Sequence, residues 1–346
     1  MYPKVSICTI NYKGITDTLE CLESLGHLTY PNFDVYVIEN GSGEKDLVKL
    51  EQFAQGKRNF HIRSSKENLG FGGGNNYLMR EILSKGNSEF IYLLNNDAYA
   101  DPDFLTYAVS AALKDDNIAM VGSMLANYYK HNEVDSIGHI LLDCGDTVLR
   151  GNRQLRKNFT ECVETLGCSS GAVLLRVSAL RDYGLYDEDF FLNFEDADIC
   201  YRAILYGYTC VVEPRSVIYH KVSQSVNKVR NREFMIRSMR NGLRAYWYNM
   251  PMGVILVNLP MHALRFVAAI LTNLLTLRFD ILIPFLRARF AFWGEFSRTR
   301  AMRKKYMPHK KVKSSYILSK QVPFLPRHLN YFWNITLHGK KRRGEG

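Results

Sequence analysis

Cysteine is sparse and follows no pairing pattern. The seven residues (Cys8, Cys21, Cys144, Cys162, Cys168, Cys200 and Cys210) are odd in number, and no two form a C-x-x-C pair. This argues against a disulfide scaffold and against a structural zinc module. No repeat at a period of roughly 20–50 residues runs through the chain, which excludes solenoids and propellers. A Walker A loop is missing. The one glycine-rich run neither follows the first apolar stretch nor keeps the G-x-G-x-x-G spacing, so a dinucleotide fingerprint is excluded. The opening Met1-Tyr2-Pro3-Lys4 has no signal-peptide pattern and leads straight into an apolar stretch. The thiols are therefore expected to be reduced core residues of a cytosolic chain.

What is present is ordinary globular composition with an uneven charge. The 346 residues are 47% apolar and 23% charged, enough for about two units of roughly 150 residues. The net charge of +11 conceals a split: residues 1–220 hold 20 Lys and Arg against 30 Asp and Glu, whereas residues 221–346 hold 25 against 4. Such asymmetry places a boundary near residue 221 and points the second part at nucleic acid or an anionic membrane.

The first 125 residues alternate short apolar runs with helical patterns. Strands are expected at 4–11, 33–39, 59–63 and 90–94, and helices at 16–25, 46–55 and 75–84. Strands separated by helices predict βαβ units and an α/β fold with a parallel sheet. Polar turns at carboxyl ends of strands, after residues 10, 39 and 94, are where such sheets bind ligands. Residues 123–173 read as loops and short hairpins. A strand follows at 171–177, a helix at 195–207, a strand at 209–219 interrupted by Pro214, and an amphipathic helix at 230–248. The last 95 or so residues are apolar and basic together, ending in Lys340-Lys341-Arg342-Arg343, which is expected to be disordered.

Four motifs carry chemistry, each with a plainer reading beside it. Asn68-Leu69-Gly70-Phe71-Gly72-Gly73-Gly74 permits close backbone approach to a phosphate or sugar, with amides favouring an anion at the start of the next helix; otherwise it is a flexible loop. Asn95-Asn96-Asp97 at a strand end suits Mg²⁺ or Mn²⁺ completed by substrate phosphate and water; otherwise it is a turn and helix cap. Phe194-Glu195-Asp196-Ala197-Asp198 sets three carboxylates within four residues, a crowding that raises one pKa and suits a general base. The alternative is an acidic helix N-terminus. His220 ends a further strand that could face Asp97, although a lone histidine is usually structural.

The order of these blocks is more specific than any one of them. Residues 6–11, Val37-Ile38-Glu39-Asn40-Gly41-Ser42, the Asn68–Gly72 run, Leu93 to Asp97, Ser170-Gly171-Ala172, the Phe194–Asp198 block and His220 together resemble the family 2 inverting glycosyltransferases, nearest the rhamnosyltransferase-like branch that builds cell-surface polysaccharide. The resemblance covers about residues 4–245. It implies a GT-A fold over 1–248, with a nucleotide-sugar half at 1–125 and an acceptor half at 126–248, the remainder being an apolar, basic helical region. It places donor contacts on Thr9, Asn11, Glu39 (where the family usually has Asp), Asn40, Ser42, Asn68, Gly70, Gly74 and Asn96. It places the metal on Asp97 and His220, with Asn95 standing where the family's first carboxylate would be, and the catalytic acid pair on Glu195 and Asp196, with Asp196 as base. Arg240-Asn241 also matches, without a role carried over.

The implied reaction is transfer of a sugar from a nucleoside-diphosphate donor, with Mg²⁺ or Mn²⁺, to a hydroxyl of a glycan or lipid-linked glycan. Deoxythymidine-diphosphate-rhamnose (dTDP-rhamnose) is the first donor expected and a UDP-sugar the second. A nucleotidyltransferase would need a basic, glycine-rich triphosphate loop where Thr9-Ile10-Asn11-Tyr12-Lys13 stands. A nucleic-acid module would use the basic half without the acidic blocks, and a silent scaffold would bind without turnover. Residues 250–277 tempt a membrane-span reading, but Asn258, Pro260, His262 and Arg265 lie near the middle, and proline should break the helix. Residues 281–296 repeat the theme. The expectation is peripheral attachment to the cytoplasmic leaflet through interfacial helices, without nucleic acid; a packed helical subdomain or a homodimer interface is the alternative.

Overall fold

The computed structural model describes residues 2–221 and 231–332. The basic tail at 340–343 lies outside them. The chain starts as three βα units: β1 (Val5–Asn11), α1 (Ile15–Leu25), β2 (Phe33–Asn40), α2 (Glu44–Ala54), β3 (Phe60–Ser65) and α3 (Gly70–Lys85). β4 (Phe90–Leu94), β5 (Ala98–Ala100), α4 (Phe104–Ala112) and β6 (Ile118–Asn127) follow. The weakly patterned stretch resolves into β7 (Val134–Ser136), the hairpin β8 (His139–Leu141) and β9 (Thr147–Leu149), and β10 (Val163–Thr165). β11 (Ala172–Arg176), α5 (Val177–Tyr183), α6 (Glu195–Leu205) and β12 (Thr209–His220) complete the sheet.

The sheet runs β10-β12-β6-β11-β4-β1-β2-β3, with β5 and β7 added on β12 and β6. It is mixed and mostly parallel: β3, β2, β1 and β4 are parallel, β11 runs against β4 and β6, and β6 and β12 are parallel again. Alternate residues feed opposite faces, because side chains switch sides along a strand. Val35 and Val37 join Leu22 and Phe104 on one face, while Tyr36 and Ile38 join Leu78, Met79 and Ile204 on the other. Covering both faces makes the strands continuous apolar runs. Pro214 sits in a register shift between Glu213 and Val217, where no ladder hydrogen bond is lost. All seven cysteines are free thiols, six of them buried.

Two expectations are corrected. The glycine run is not a loop: Gly70, Gly72, Gly73 and Gly74 form the first turns of α3, five residues earlier than periodicity placed the helix. Glycine costs about 0.5–1 kcal/mol per helical position relative to alanine, and the cost is accepted for close approach. A Cβ on Gly74 would lie 2.9 Å from Ile10 Cδ1, and one on Gly70, at φ +72°, 2.5 Å from the Phe191 carbonyl oxygen.

The second correction is Pro260, which lies inside an unbroken 24-residue helix. One N–H···O bond is lost there, while Val254, Ile255, Asn258 and Ala269 are buried along the same helix and hold it. The C-terminal region comprises α7 (Arg232–Asn249), α8 (Met252–Leu275), α9 (Phe279–Gly294), α10 (Phe296–Tyr306), α11 (Ser314–Lys320) and α12 (Phe324–Phe332). It packs on the sheet half through part-buried ion pairs to Asp187 and Asp146, and α7 is tied within the region to the α9–α10 junction through Glu295. Arg240 and Arg244 pair with Glu295, Arg298 binds Asp187 at 2.9 Å, and Arg265 binds Asp146 at 2.7 Å. These four arginines therefore answer carboxylates within the molecule.

Candidate active site

The carboxyl ends of β1, β2, β4 and β12 meet at one edge of the sheet. A cavity of about 500 Å³ there is lined by Asn40, Asn68, Gly70, Asn96, Asp97 and His220, all expected from sequence. Thr9, Asn11, Glu39, Ser42 and Gly74 are not on its wall; they build the frame behind it. Thr9 Oγ1 donates to the Leu94 carbonyl at 3.2 Å, tying β1 to β4. Asn11 Nδ2 donates to Asp46 at 3.1 Å and to Ser42 Oγ at 3.4 Å, and Asn11 Oδ1 accepts from Thr18 Oγ1 at 2.8 Å. Glu39 Oε1 accepts the Ser42 amide at 2.5 Å, shaping the turn after β2.

The anion nest expected at α3 is filled by the protein itself. Asn40 Oδ1 takes the Leu69 amide, Asn68 Oδ1 takes that of Gly70, and the Phe191 carbonyl takes that of Phe71. These three amides are not free for a phosphate. Asn96 likewise turns away, donating to Thr18 Oγ1 at 2.9 Å.

Asp97 and His220 come together as the sequence order implied. Asp97 Oδ1 lies 3.2 Å from His220 Nε2, and His220 Nδ1 lies 2.8 Å from Asp135 Oδ2. Asn95 Nδ2 stands 3.4 Å from the same Nε2. Burial disfavours the imidazolium, but Asp135 and Asp97 outweigh it and raise His220 to about 10. Burial likewise acts to raise Asp97, yet His220 holds its carboxyl below the ordinary value. Among the described residues no three His, Cys, Asp or Glu side chains converge on one ion. The donor set would be one carboxylate and, once an incoming ion displaces the Nε2 proton, one imidazole backed by a second carboxylate. That set fits a divalent ion such as Mg²⁺ or Mn²⁺ which takes the rest of its shell from diphosphate and water.

The acid pair lines a second cavity, about 390 Å³, which meets the first at Phe234. Its entrance is a strained loop: Phe191, Asn193 and Phe194 have φ of 60°, 71° and 69°. Asn241 of α7, fully buried, holds it by donating Nδ2 to the carbonyls of Phe190 (2.8 Å), Leu192 (3.2 Å) and Asn193 (3.0 Å). This gives the Arg240-Asn241 match a structural content, with Arg240 directed instead at Glu295. Glu195 is buried; desolvation and then the Asp196 charge push it up to about 8, and its Oε2 has no partner among the described residues. Asp196 is more open. Its Oδ1 accepts the Ala197 amide at 2.8 Å, and its Oδ2 lies 3.4 Å from His139 Nε2. The third carboxylate, Asp198, is structural, bound by Arg202 and Asn249 at 2.7 Å each.

Sequence reasoning missed Asp135, His139 and Arg237. Asp135 and His139 lie in the weakly patterned stretch, and only the fold brings them to His220 and Asp196. Arg237 lines the donor-side cavity, over the Phe191 ring at 5.2 Å; its clue was its place on the polar face of α7.

Among solved structures, the mannosyltransferase PcManGT from Pyrobaculum calidifontis, in complex with GDP-Man and Mn²⁺, is similar with a TM-score of 0.54 at 14% identity, over 99% of this chain and 89% of that one. GalNAc-T7 with UDP, GalNAc and Mn²⁺ gives 0.53 at 14%, over 70% and 47%. At such identity the likeness is one of fold, GT-A. Among curated proteins, the uncharacterized protein y4gI of Sinorhizobium fredii is 26% identical over 218 residues, 58% of this chain and 22% of that protein. An uncharacterized glycosyltransferase of Haemophilus influenzae is 29% identical over 121 residues, 35% and 36% of the two chains. The chain thus spans well under half the length of these relatives. The family's own pattern, described as glycosyl transferase family 2, matches residues 6–184, over half of the chain, and the chain belongs to that family.

Proposed function

We propose that the protein is a metal-dependent inverting glycosyltransferase that moves a sugar, rhamnose in first place, from a nucleoside-diphosphate donor to a hydroxyl of a glycan or lipid-linked glycan. The observation that carries the reading is the meeting of two cavities at Phe234, one holding Asp97 and His220, the other Glu195 and Asp196. A donor in the first cavity would present its anomeric carbon toward the second.

Asp196 is the base. Glu195, raised by burial and by its neighbour's charge, holds a proton more firmly than an ordinary carboxyl, and Asp196, more open on the cavity wall, is the member of the pair placed to act. Asp196 Oδ2 takes the proton of the acceptor hydroxyl; the acceptor oxygen bonds to the anomeric carbon as the carbon–oxygen bond to the diphosphate breaks on the opposite face. The products are the inverted glycoside and a nucleoside diphosphate, without a covalent enzyme intermediate. A divalent ion held by Asp97 and His220 would offset the charge on the departing diphosphate. Arg237 adds a cation on the same side. The donor is expected to be dTDP-rhamnose, then a UDP-sugar. The two similar structures carry GDP-Man and UDP, which supports the nucleoside-diphosphate class.

The same reading places the protein on the cytoplasmic face of a membrane. α8 is long and apolar enough to span one, yet polar residues on it face inward: Asn258 donates to the Tyr246 hydroxyl of α7 at 3.1 Å and Arg265 binds Asp146 of the β8–β9 hairpin. Its outer side exposes Leu256, Val257, Leu259, Val267, Leu271 and Leu275. An apolar surface of that extent marks a contact, and a helix tied along one side suits the interface plane better than a span.

The deciding experiment is a screen of nucleotide sugars for hydrolysis with Mg²⁺ or Mn²⁺. Release of nucleoside diphosphate from one donor class, lost on chelation, is the expected result. Failure with every donor would refute the reading.

A further inference from the structure

Beside the acid pair lies a larger cavity of about 560 Å³, enclosed by α7, α8, α9 and the β8–β9 hairpin. It shares Thr147, Val148 and Phe194 with the cavity holding Glu195 and Asp196, so the two adjoin. Neither the family nor the motif order assigns it a ligand. We propose that this groove seats the apolar chain and the phosphate of a lipid-linked acceptor, with the acceptor hydroxyl delivered to Asp196. The proposal rests on the glycosyl-transfer reading and names the acceptor class for it.

Three observations select this occupant. The walls are aromatic, with Trp247, Phe266, Phe285, Phe290, Phe292 and Trp293 around the space. Few donors or acceptors are offered for the hydroxyls of a glycan, whereas a hydrocarbon chain gains about 0.8 kcal/mol per buried methylene. The mouth opens on the exposed apolar side of the helices: Leu259 is 51% exposed, Phe290 76% and Trp293 53%. A chain leaving a bilayer under α8 would therefore enter the groove without crossing water.

The third observation is charge. Arg265 and Arg289 both line the groove, and among the described residues the only carboxylate on its wall, Asp146, is bound to Arg265. Arg289 lies flat on Phe285, 3.3 Å from the ring centroid, and donates to that residue's own carbonyl at 3.2 Å. Burial and the adjacent Arg265 push it down to about 10. A cation in such a place is stabilised by an incoming anion, and a guanidinium grips a phosphate through paired donors. His262 Nε2, buried without a hydrogen-bond partner among the described residues, faces the same space.

The test uses the full chain and direct binding. Trp247 and Trp293 line the groove, and the chain holds three tryptophans in all, so their fluorescence reports occupancy. Farnesyl phosphate, kept below its aggregation concentration, should quench it saturably, and inorganic phosphate should not. Arg289→Gln should weaken farnesyl phosphate by about tenfold, the effect of one charge-assisted contact, and Arg289→Lys should recover most of that loss. Ala263→Phe, at an exposed position on the groove wall, should weaken it at least as much, with circular dichroism melting as the fold control. Farnesol binding as tightly as farnesyl phosphate would overturn the phosphate assignment. Unchanged affinity in both variants, or no saturable binding, would overturn the groove. The measurement needs no donor, so its failure leaves sugar transfer standing, and absent donor turnover leaves lipid binding standing.

Discussion

Replacing Asn241 should cripple catalysis although the residue touches neither cavity. Its amide carries two hydrogens shared among three carbonyls, those of Phe190, Leu192 and Asn193. Asn241→Ala leaves the part-buried carbonyls of Leu192 and Asn193 without this donor, while that of Phe190 keeps the Leu192 amide, at up to about 1–3 kcal/mol each against the held form of the loop. That loop already carries Phe191 and Phe194 in the left-handed region, which costs about 1–2 kcal/mol per residue. Once the clamp is gone, relaxing these residues is downhill. Phe194 immediately precedes Glu195 and Asp196, so the base shifts with the loop, and a misplacement near 1 Å costs on the order of 10² in rate. The expected result is kcat lowered roughly 10²-fold, read as nucleoside-diphosphate release, with a smaller fall in the thermal midpoint. Asn241→Asp should be worse than Asn241→Ala, because its oxygens would face three carbonyl oxygens. If Asn241→Asp stayed within about threefold of wild type, under 1 kcal/mol of barrier, the clamp argument would be refuted.

Asp196→Asn should lower kcat by roughly 10²–10⁴, the usual share of a general base, with donor affinity preserved by calorimetry; near-normal turnover would remove it from the role. Asp97→Ala should lose both metal-supported donor binding and kcat, and full activity after exhaustive chelation would sink the metal assignment. Glu195, raised to about 8 from an ordinary value near 4.5, binds its proton more tightly folded than unfolded. Its stabilising contribution is therefore complete below about pH 4.5 and lost as pH rises through about 8. Glu195→Gln should match wild type in acid and exceed it in thermal midpoint above pH 8, and parallel midpoint curves would contradict the shift. Sedimentation with anionic liposomes should show binding that weakens with salt, since each surface Lys or Arg adds about 1 kcal/mol near anionic lipid. The double change Leu256→Glu with Leu275→Glu should abolish it, and resistance to alkaline carbonate would indicate a span instead.

The sequence by itself determined what depends on local order along the chain. Alternation of apolar runs and helical spacing placed β1 through β4 and their helices nearly where they fold, because strand and helix periods are properties of neighbouring residues. The succession of Asn68, Asp97, Glu195-Asp196 and His220 was enough to gather these residues around one site, since open α/β sheets expose strand ends on one edge. Local reading failed where long-range contact overrides it. The glycines of α3 look like a loop until Ile10 and Phe191 press against them, and Pro260 looks like a helix end until Tyr246 of α7 and Asp146 hold the helix on either side of it. Asp135 and His139 carry no local signal, yet the tertiary fold sets them against His220 and Asp196. The basic half suggests nucleic acid on charge alone. Only the packed structure shows four of its arginines, Arg240, Arg244, Arg298 and Arg265, paired with Glu295, Asp187 and Asp146, and Arg289 facing an apolar groove, because charge composition counts ions without saying which carboxylates lie within reach.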